Sequence, residues 1–251
     1  FIGYELSAYS IAKTLVLWEM LCSSASSATE ENDQVRSILQ VWYSASWSGK
    51  TMRAFSRAMA SLCTRLAEFD EPVRHLIKHW AASNGVALSS GRKQWMDATS
   101  DARSTLGGFL LRNDRIDMAR YELTGDFGLL SEPACGSVTM FDCPDGTPPV
   151  DKDESVFSTL HCKDLVPEGM QPDGAIPTDP NELLKVSLMT AAEQKVMSDL
   201  KMLRERATKG AVKVELRMQA VQDSVKEIAA EHPWTMSWSN VLDYFNAERF
   251  H

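Results

Sequence analysis

The sequence has no excess of basic charge. Its 26 Lys and Arg face 34 Asp and Glu over 251 residues, a formal net charge of −8. A nucleic-acid binder needs a cationic footprint for phosphates, so that class of partner is set aside. Long apolar runs are missing as well. The longest, Leu15-Val16-Leu17-Trp18, is far short of the roughly 20 residues a helical membrane span requires. No signal peptide is visible at the front, and the expected compartment is cytoplasmic. Cysteine is sparse: Cys22, Cys63, Cys135, Cys143 and Cys162 are odd in number and no pair has CxxC spacing. Reduced thiols in a cytosolic protein account for them most simply. There is no GxSxG elbow and no P-loop, which leaves serine-hydrolase and NTPase readings without support.

What is present is a core-sized store of apolar residues, 44% of the chain, and its periodicity changes along the chain. Phe1 to Glu5 reads as the end of a buried strand, with Ser7 as N-cap of the following helix. Ile11, Ala12, Leu15, Val16, Trp18 and Leu21 recur at helical spacing. The Ser/Ala-rich run from Ser23 to Thr29 reads as a loop, with Glu30 to Asp33 as its acidic end. A helical portion follows over 30–135. Val35, Ile38, Leu39 and Trp42 mark one helix, which Ser48 and Gly49 interrupt. Met52, Phe55, Met59, Leu62, Leu66 and Phe69 mark a second. Pro72 opens a third, where its missing N–H costs nothing; Val73, Leu76, Ile77 and Trp80 are its apolar face, and Gly85 ends it. A weaker helix covers Arg92 to Thr99. Ser137 to Cys143 has the look of a short strand.

Residues 147–180 hold six prolines, Pro148, Pro149, Pro167, Pro172, Pro177 and Pro180, and read as an irregular loop. Residues 181–251 then read helix–strand–helix–strand–helix. The first helix runs from Asn181 to Thr208 and is closed by Gly210, with Arg204, Arg206 and Lys209 near its last turn, as the helix dipole favours. Val212 to Met218 alternate as a strand, Val221 to Ala229 return to helical period, and Trp234 to Trp238 form another strand. Strands alternating with helices imply a parallel sheet with crossover helices. The expected fold class is therefore α/β, one domain over 1–251 with a large helical insertion. Its front lies inside a strand and its end one turn into a helix, so an excerpt of a larger protein, cut at both ends, is expected. An open sheet lacking its first strands would expose an edge, and poor solubility of 1–251 alone is expected with it.

Three constellations invite a chemical reading. Glu5 stands at a strand end before a helix, where an acid can accept bonds from ribose hydroxyls; the same acid is also explained as a loop residue favoured by the helix dipole. The glycine loop that would complete a cofactor site belongs about 20 residues upstream. Ser239, Asn240 and Asp243 follow the last strand. They either cap and open a helix or line the rim of a cofactor crevice at the strand ends. His75 and His79 share a helix face, but Leu76 stands where an HExxH motif needs Glu, so a solvated face is expected. Cys135, Cys143, His161 and Cys162 have a Cys3His inventory without the usual knuckle spacing. Trp18, Trp42, Trp47, Trp80 and Trp95 fall mostly at apolar helical positions, as core residues do.

Phe1-Ile-Gly-Tyr-Glu-Leu-Ser-Ala-Tyr-Ser-Ile-Ala-Lys-Thr-Leu-Val, Leu39-Gln-Val-Trp-Tyr-Ser-Ala-Ser-Trp47 and Ser239-Asn-Val-Leu-Asp-Tyr-Phe245 resemble the domain of unknown function shared by dynein axonemal assembly factor 3 and fungal MYND-zinc-finger proteins. The likeness covers both ends and the second helix but not the Pro-rich stretch. It implies a partial Rossmann-like, methyltransferase-like parallel sheet and a role in protein interaction or complex assembly, with protein partners and no cofactor. The family's earlier strand and loop are missing before Phe1, and no MYND finger lies within residues 1–251. The alternative it implies is an S-adenosylmethionine-dependent methyltransferase, in which Glu5 holds the ribose and Asn240 and Asp243 line the crevice. No catalytic residue and no metal ligand is assigned.

Overall fold

Two serines set the frame of the N-terminal half. Ser7 Oγ accepts the Ser10 N–H at 3.3 Å and caps α1 (Ala8–Cys22); Ser27 Oγ accepts the Glu30 N–H at 3.2 Å and caps α2 (Ala28–Tyr43). Both satisfy amides that a helix start leaves without partners. The computed structural model describes residues 2–25, 27–99, 112–127, 132–144, 188–220 and 223–231. The cap at Ser27 corrects the reading of Glu30 to Asp33 as the end of a loop. They lie inside α2, with Glu30 and Glu31 in its first turn, where the dipole favours acids.

The body is built from these two helices, α3 (Gly49–Cys63) and α4 (Glu71–Ala82), the last pair joined by a 3-10 turn at Leu66–Glu68. α1 and α3 pack on each other, and each packs on both α2 and α4. Their inner faces carry the predicted stripes: Ile11, Ala12 and Val16; Val35, Ile38 and Leu39; Phe55, Met59 and Leu62; Val73, Leu76, Ile77 and Trp80 are all buried. Pro72 sits in the first turn of α4. Trp42 departs from this pattern. It is 36% exposed and stacks on Tyr43 with ring centroids 4.8 Å apart. Trp47 and Trp80 are buried, and so is Trp95.

Between α2 and α3 the chain crosses the core as β2 (Ser46–Ser48), pairing antiparallel with β3 (Pro133–Gly136). Trp47 is fully buried there and its Nε1–H donates to the Gln40 carbonyl. Ser44 Oγ accepts the Phe127 N–H at 2.9 Å, and the Ala45 N–H donates to the Gly125 carbonyl at 2.8 Å. A buried strand must pair its backbone, and these contacts do so. β3 precedes α7 (Val138–Phe141), a single helical turn with all four residues buried. This corrects the expected strand over Ser137 to Cys143: the strand lies four residues earlier, and four successive buried side chains suit a turn of helix better than strand alternation. Helices α5 (Leu88–Thr99) and α6 (Arg112–Thr124) flank this region.

The C-terminal part begins with α8 (Leu188–Thr208), which packs on α1 and α2 through Ala192, Val196 and Leu200. Gly210 follows it at φ +69°. Arg204 does more than serve its own helix's dipole. It is buried and donates to the Leu21 carbonyl at 3.1 Å and the Ser23 carbonyl at 2.5 Å, closing the C-terminus of α1. β4 (Glu215–Arg217) then pairs parallel with β1 (Ile2–Tyr4), and α9 (Val225–Ala230) follows. Both strands are half-buried, so β1 is not the buried strand expected of Phe1 to Glu5. The described fold is mostly helical with one small parallel sheet. Among the described residues no helix is long and apolar enough to cross a membrane. The strand expected at Trp234 to Trp238 and the loop over 147–180 lie outside the described residues.

Candidate functional site

Glu5 stands at the carboxyl end of β1, where an open parallel sheet binds its ligands. Its backbone N–H extends the ladder to the Arg217 carbonyl at 3.1 Å. Its carboxylate turns back on the chain: Oε1 accepts the N–H groups of Leu6 and Ser7, each at 2.8 Å. One oxygen thus holds two amides that lead into α1, as an anion at a helix start does. Asn240 and Asp243, expected across a crevice from Glu5, lie outside the described residues.

The His pair separates. His75 is exposed, whereas His79 Nε2 lies 2.6 Å from Asp142 Oδ1. This corrects the reading of a solvated face for both. Ser83 Oγ donates to the other Asp142 oxygen, and Trp80 Nε1–H donates to the Asp142 carbonyl at 2.9 Å. The carboxylate therefore stands between hydroxyl and imidazole. A nucleophilic triad needs the imidazole in that place, between the hydroxyl it deprotonates and the carboxylate that orients it. The cluster ties α4 to the end of α7 and is not arranged for acyl transfer.

Cys22, Cys63, Cys135 and Cys143 are free thiols. Burial pushes the Cys22 thiol up, with Glu19 adding to it, and burial also raises Cys135. A raised thiol holds little thiolate at neutral pH, and thiolate is the form that attacks carbon or binds metal. His161 and Cys162 lie outside the described residues. Among the described residues no group of three or more His, Cys, Asp or Glu is placed to hold a metal ion.

A cavity lies elsewhere, on the polar sides of α1, α2 and α3. It is an open groove of about 460 Å³ lined by Glu19 and Met20 of α1, Asp33 and Gln34 of α2, and Lys50, Arg53, Arg57 and Ser61 of α3, among others. Several of its charges are committed. Lys50 Nζ lies 2.7 Å from Asp33. Glu19 takes Arg65 at 2.8 Å and the Ser61 hydroxyl at 2.6 Å. Gln34 Nε2 donates to the Met20 carbonyl at 2.5 Å and the Ser23 carbonyl at 3.2 Å. With Arg204 it covers the orphan carbonyls at the end of α1. Arg53 and Arg57 are exposed and have no carboxylate within ion-pair distance among the described residues. Sequence reasoning missed this groove because it followed the apolar stripe of α3. The signal was on the opposite side: Lys50, Arg53 and Arg57 recur at intervals of three and four, which stacks them along one helix face.

Compared with protein-family models, curated proteins and solved structures, the chain matches none.

Proposed function

We propose that this chain is a non-catalytic, methyltransferase-like α/β domain of the cytoplasm that works by binding protein, in the manner of a complex-assembly factor. The observation that carries the reading is the groove between α1, α2 and α3. It is open, lined with charged and polar side chains of both signs, and holds two arginines with no ion-pair partner among the described residues. Small-molecule and cofactor sites are mostly apolar and enclosing; an open charged groove suits a partner's surface or segment. The likeness of residues 1–16, 39–47 and 239–245 to the assembly-factor family points the same way.

One observation favours a second reading, an S-adenosylmethionine-dependent methyltransferase. β1 and β4 are parallel, and Glu5 stands at a strand end just before a helix, the place of a ribose-binding acid. Asn240 and Asp243 would then line the same crevice. Methyl transfer relies mainly on a bound cofactor and an oriented acceptor, so it does not require an acid–base set. Against it stands the use of Glu5 Oε1 by the Leu6 and Ser7 amides. Calorimetry of the full-length protein with S-adenosylmethionine separates the two. No heat of binding at millimolar cofactor is expected. Binding that Glu5→Ala weakens would replace the first reading with the second.

A further inference from the structure

We propose that Arg53 and Arg57 are the docking point for an acidic segment of a partner protein, one that presents two carboxylates two residues apart in an extended strand. The inference rests on the protein-binding reading above and gives it a place and a chemistry. Its ground is an imbalance inside one groove. Asp33 is held by Lys50, and Glu19 by Arg65 and Ser61, so these acids are already compensated. Arg53 and Arg57 point no guanidinium at any carboxylate of the described residues. A second hollow, of about 410 Å³ and lined by Met52, Arg53, Ser56 and Arg57, opens on the same two residues. The pair therefore stands between two concave surfaces, both open to a ligand.

Spacing argues for a peptide. Four residues of helix advance about 6 Å, so Arg53 and Arg57 repeat at that distance along α3. Alternate residues of an extended strand repeat at about 6.8 Å and point to one side. An acid–x–acid segment lying along α3 would thus offer one carboxylate to each guanidinium, with the planar two-bond geometry that Arg forms and Lys does not. The lining of α3 from Lys50 to Ser61 runs about 16 Å, room for roughly five extended residues. Glu30 on the opposite wall would repel a uniformly acidic run. The fit is therefore to two acids facing α3 within an otherwise neutral or mixed segment. A free phosphate ion would meet one guanidinium or bridge the pair but would leave the rest of the groove without a partner.

The test is a fluorescence-anisotropy titration of the full chain with a labelled octapeptide, Gly-Ser-Glu-Ser-Glu-Ser-Gly-Ser, at low ionic strength. Saturable binding is expected, with at least tenfold weaker binding for Arg53→Gln/Arg57→Gln and for a peptide with both Glu changed to Gln. Arg206→Gln, an exposed change at the end of α8, is expected to leave the affinity within twofold. The Arg53 and Arg57 side chains are exposed, so an unchanged melting temperature of the double variant confirms that its fold is intact. Absence of binding by the parent chain at millimolar peptide would overturn the proposal, as would equal affinity in the double variant or an equal loss in Arg206→Gln. Complete displacement of the peptide by a few millimolar inorganic phosphate would also overturn it, since that result describes a small-anion site. Failure here removes the arginine pair and leaves the protein-binding reading standing. Cofactor binding in the calorimetry above would remove that reading and leave the peptide result as it is.

Discussion

The four-helix body and the β1–β4 corner are held together by different physics. In the body, α1 to α4 bury continuous apolar faces around side chains such as Phe55, Leu62, Ile77 and Trp80. In the corner, two three-residue strands are half-buried and charge does the joining. Arg217 donates to the Tyr4 hydroxyl at 2.8 Å, lies over the Tyr4 ring, and reaches Glu215, Glu227 and Glu231. Apolar burial scales with area and is not weakened by charge screening, whereas exposed ion pairs contribute little and are screened. The body should therefore set the global stability, and the corner should open locally at much lower cost.

A pair of truncations tests that difference most directly. Trp80 is 1% exposed and its indole N–H is bonded to the Asp142 carbonyl. Trp80→Ala should cost about 3–5 kcal/mol, read as a lower denaturant midpoint. Leu216, in β4, is only partly buried, and Leu216→Ala should cost about 1 kcal/mol. Equal losses would mean that the sheet corner is as much a part of the cooperative core as the helices are.

Two glycines with the same backbone angle sharpen the comparison. Gly125 and Gly210 both sit at φ +69°. A Cβ on Gly125 would collide with Ala45 Cβ and stand 2.8 Å from the Trp95 ring, while one on Gly210 would meet nothing within 4 Å. Gly210→Ala therefore bears only the left-handed backbone cost, about 1 kcal/mol. Gly125→Ala adds overpacking, and the two together come to about 3 kcal/mol or more. Thermal melts of the two variants check this. A Gly125→Ala variant no worse than Gly210→Ala would show that the Ala45–Trp95 region yields easily.

The same contrast explains what the sequence discloses. Helices α1, α3 and α4 are legible because a buried helix face repeats at 3.6 residues, and few other arrangements place Met52, Phe55, Met59 and Leu62 together. The cap at Ser7 follows from local chemistry alone, whereas Ser48, read as an interruption, is the N-cap of α3. Trp42 misleads because an apolar residue at helical spacing is not obliged to face the core; it stacks on its neighbour Tyr43 at the surface. β3 and α7 are too short for periodicity to separate them. Arg204 reads as a residue of its own helix's last turn because its real partners, Leu21 and Ser23, lie more than 180 residues away in the chain. Of the site, Glu5 at a strand end was legible. Its engagement by the Leu6 and Ser7 amides was not, because a carboxylate before a helix can serve a ligand or its own backbone with the same sequence. The groove was illegible for a related reason. Cations on a polar face acquire meaning only when the neighbouring acids are seen to be taken.

The smallest expected effect is also the most local. The Arg217 hydrogen bond, and after it the Arg217 charge, holds the Glu215 carboxyl below its ordinary range. A carboxyl lowered by folding contributes stability above its unfolded pKa and loses that contribution as pH falls through the lowered folded value. The window lies on the acid side of the usual carboxylate range, and neutral pH is unaffected. The Glu5 amide, bonded to the Arg217 carbonyl, reports on the corner through its hydrogen-exchange protection factor. In the parent chain that factor should hold at neutral pH and fall as pH drops through the window. In Arg217→Met it should be low throughout, while the global melting temperature moves less than in Gly210→Ala. A parent protection factor that stays flat in acid would separate the corner's stability from the Glu215–Arg217 pair and assign it to the strand pairing itself.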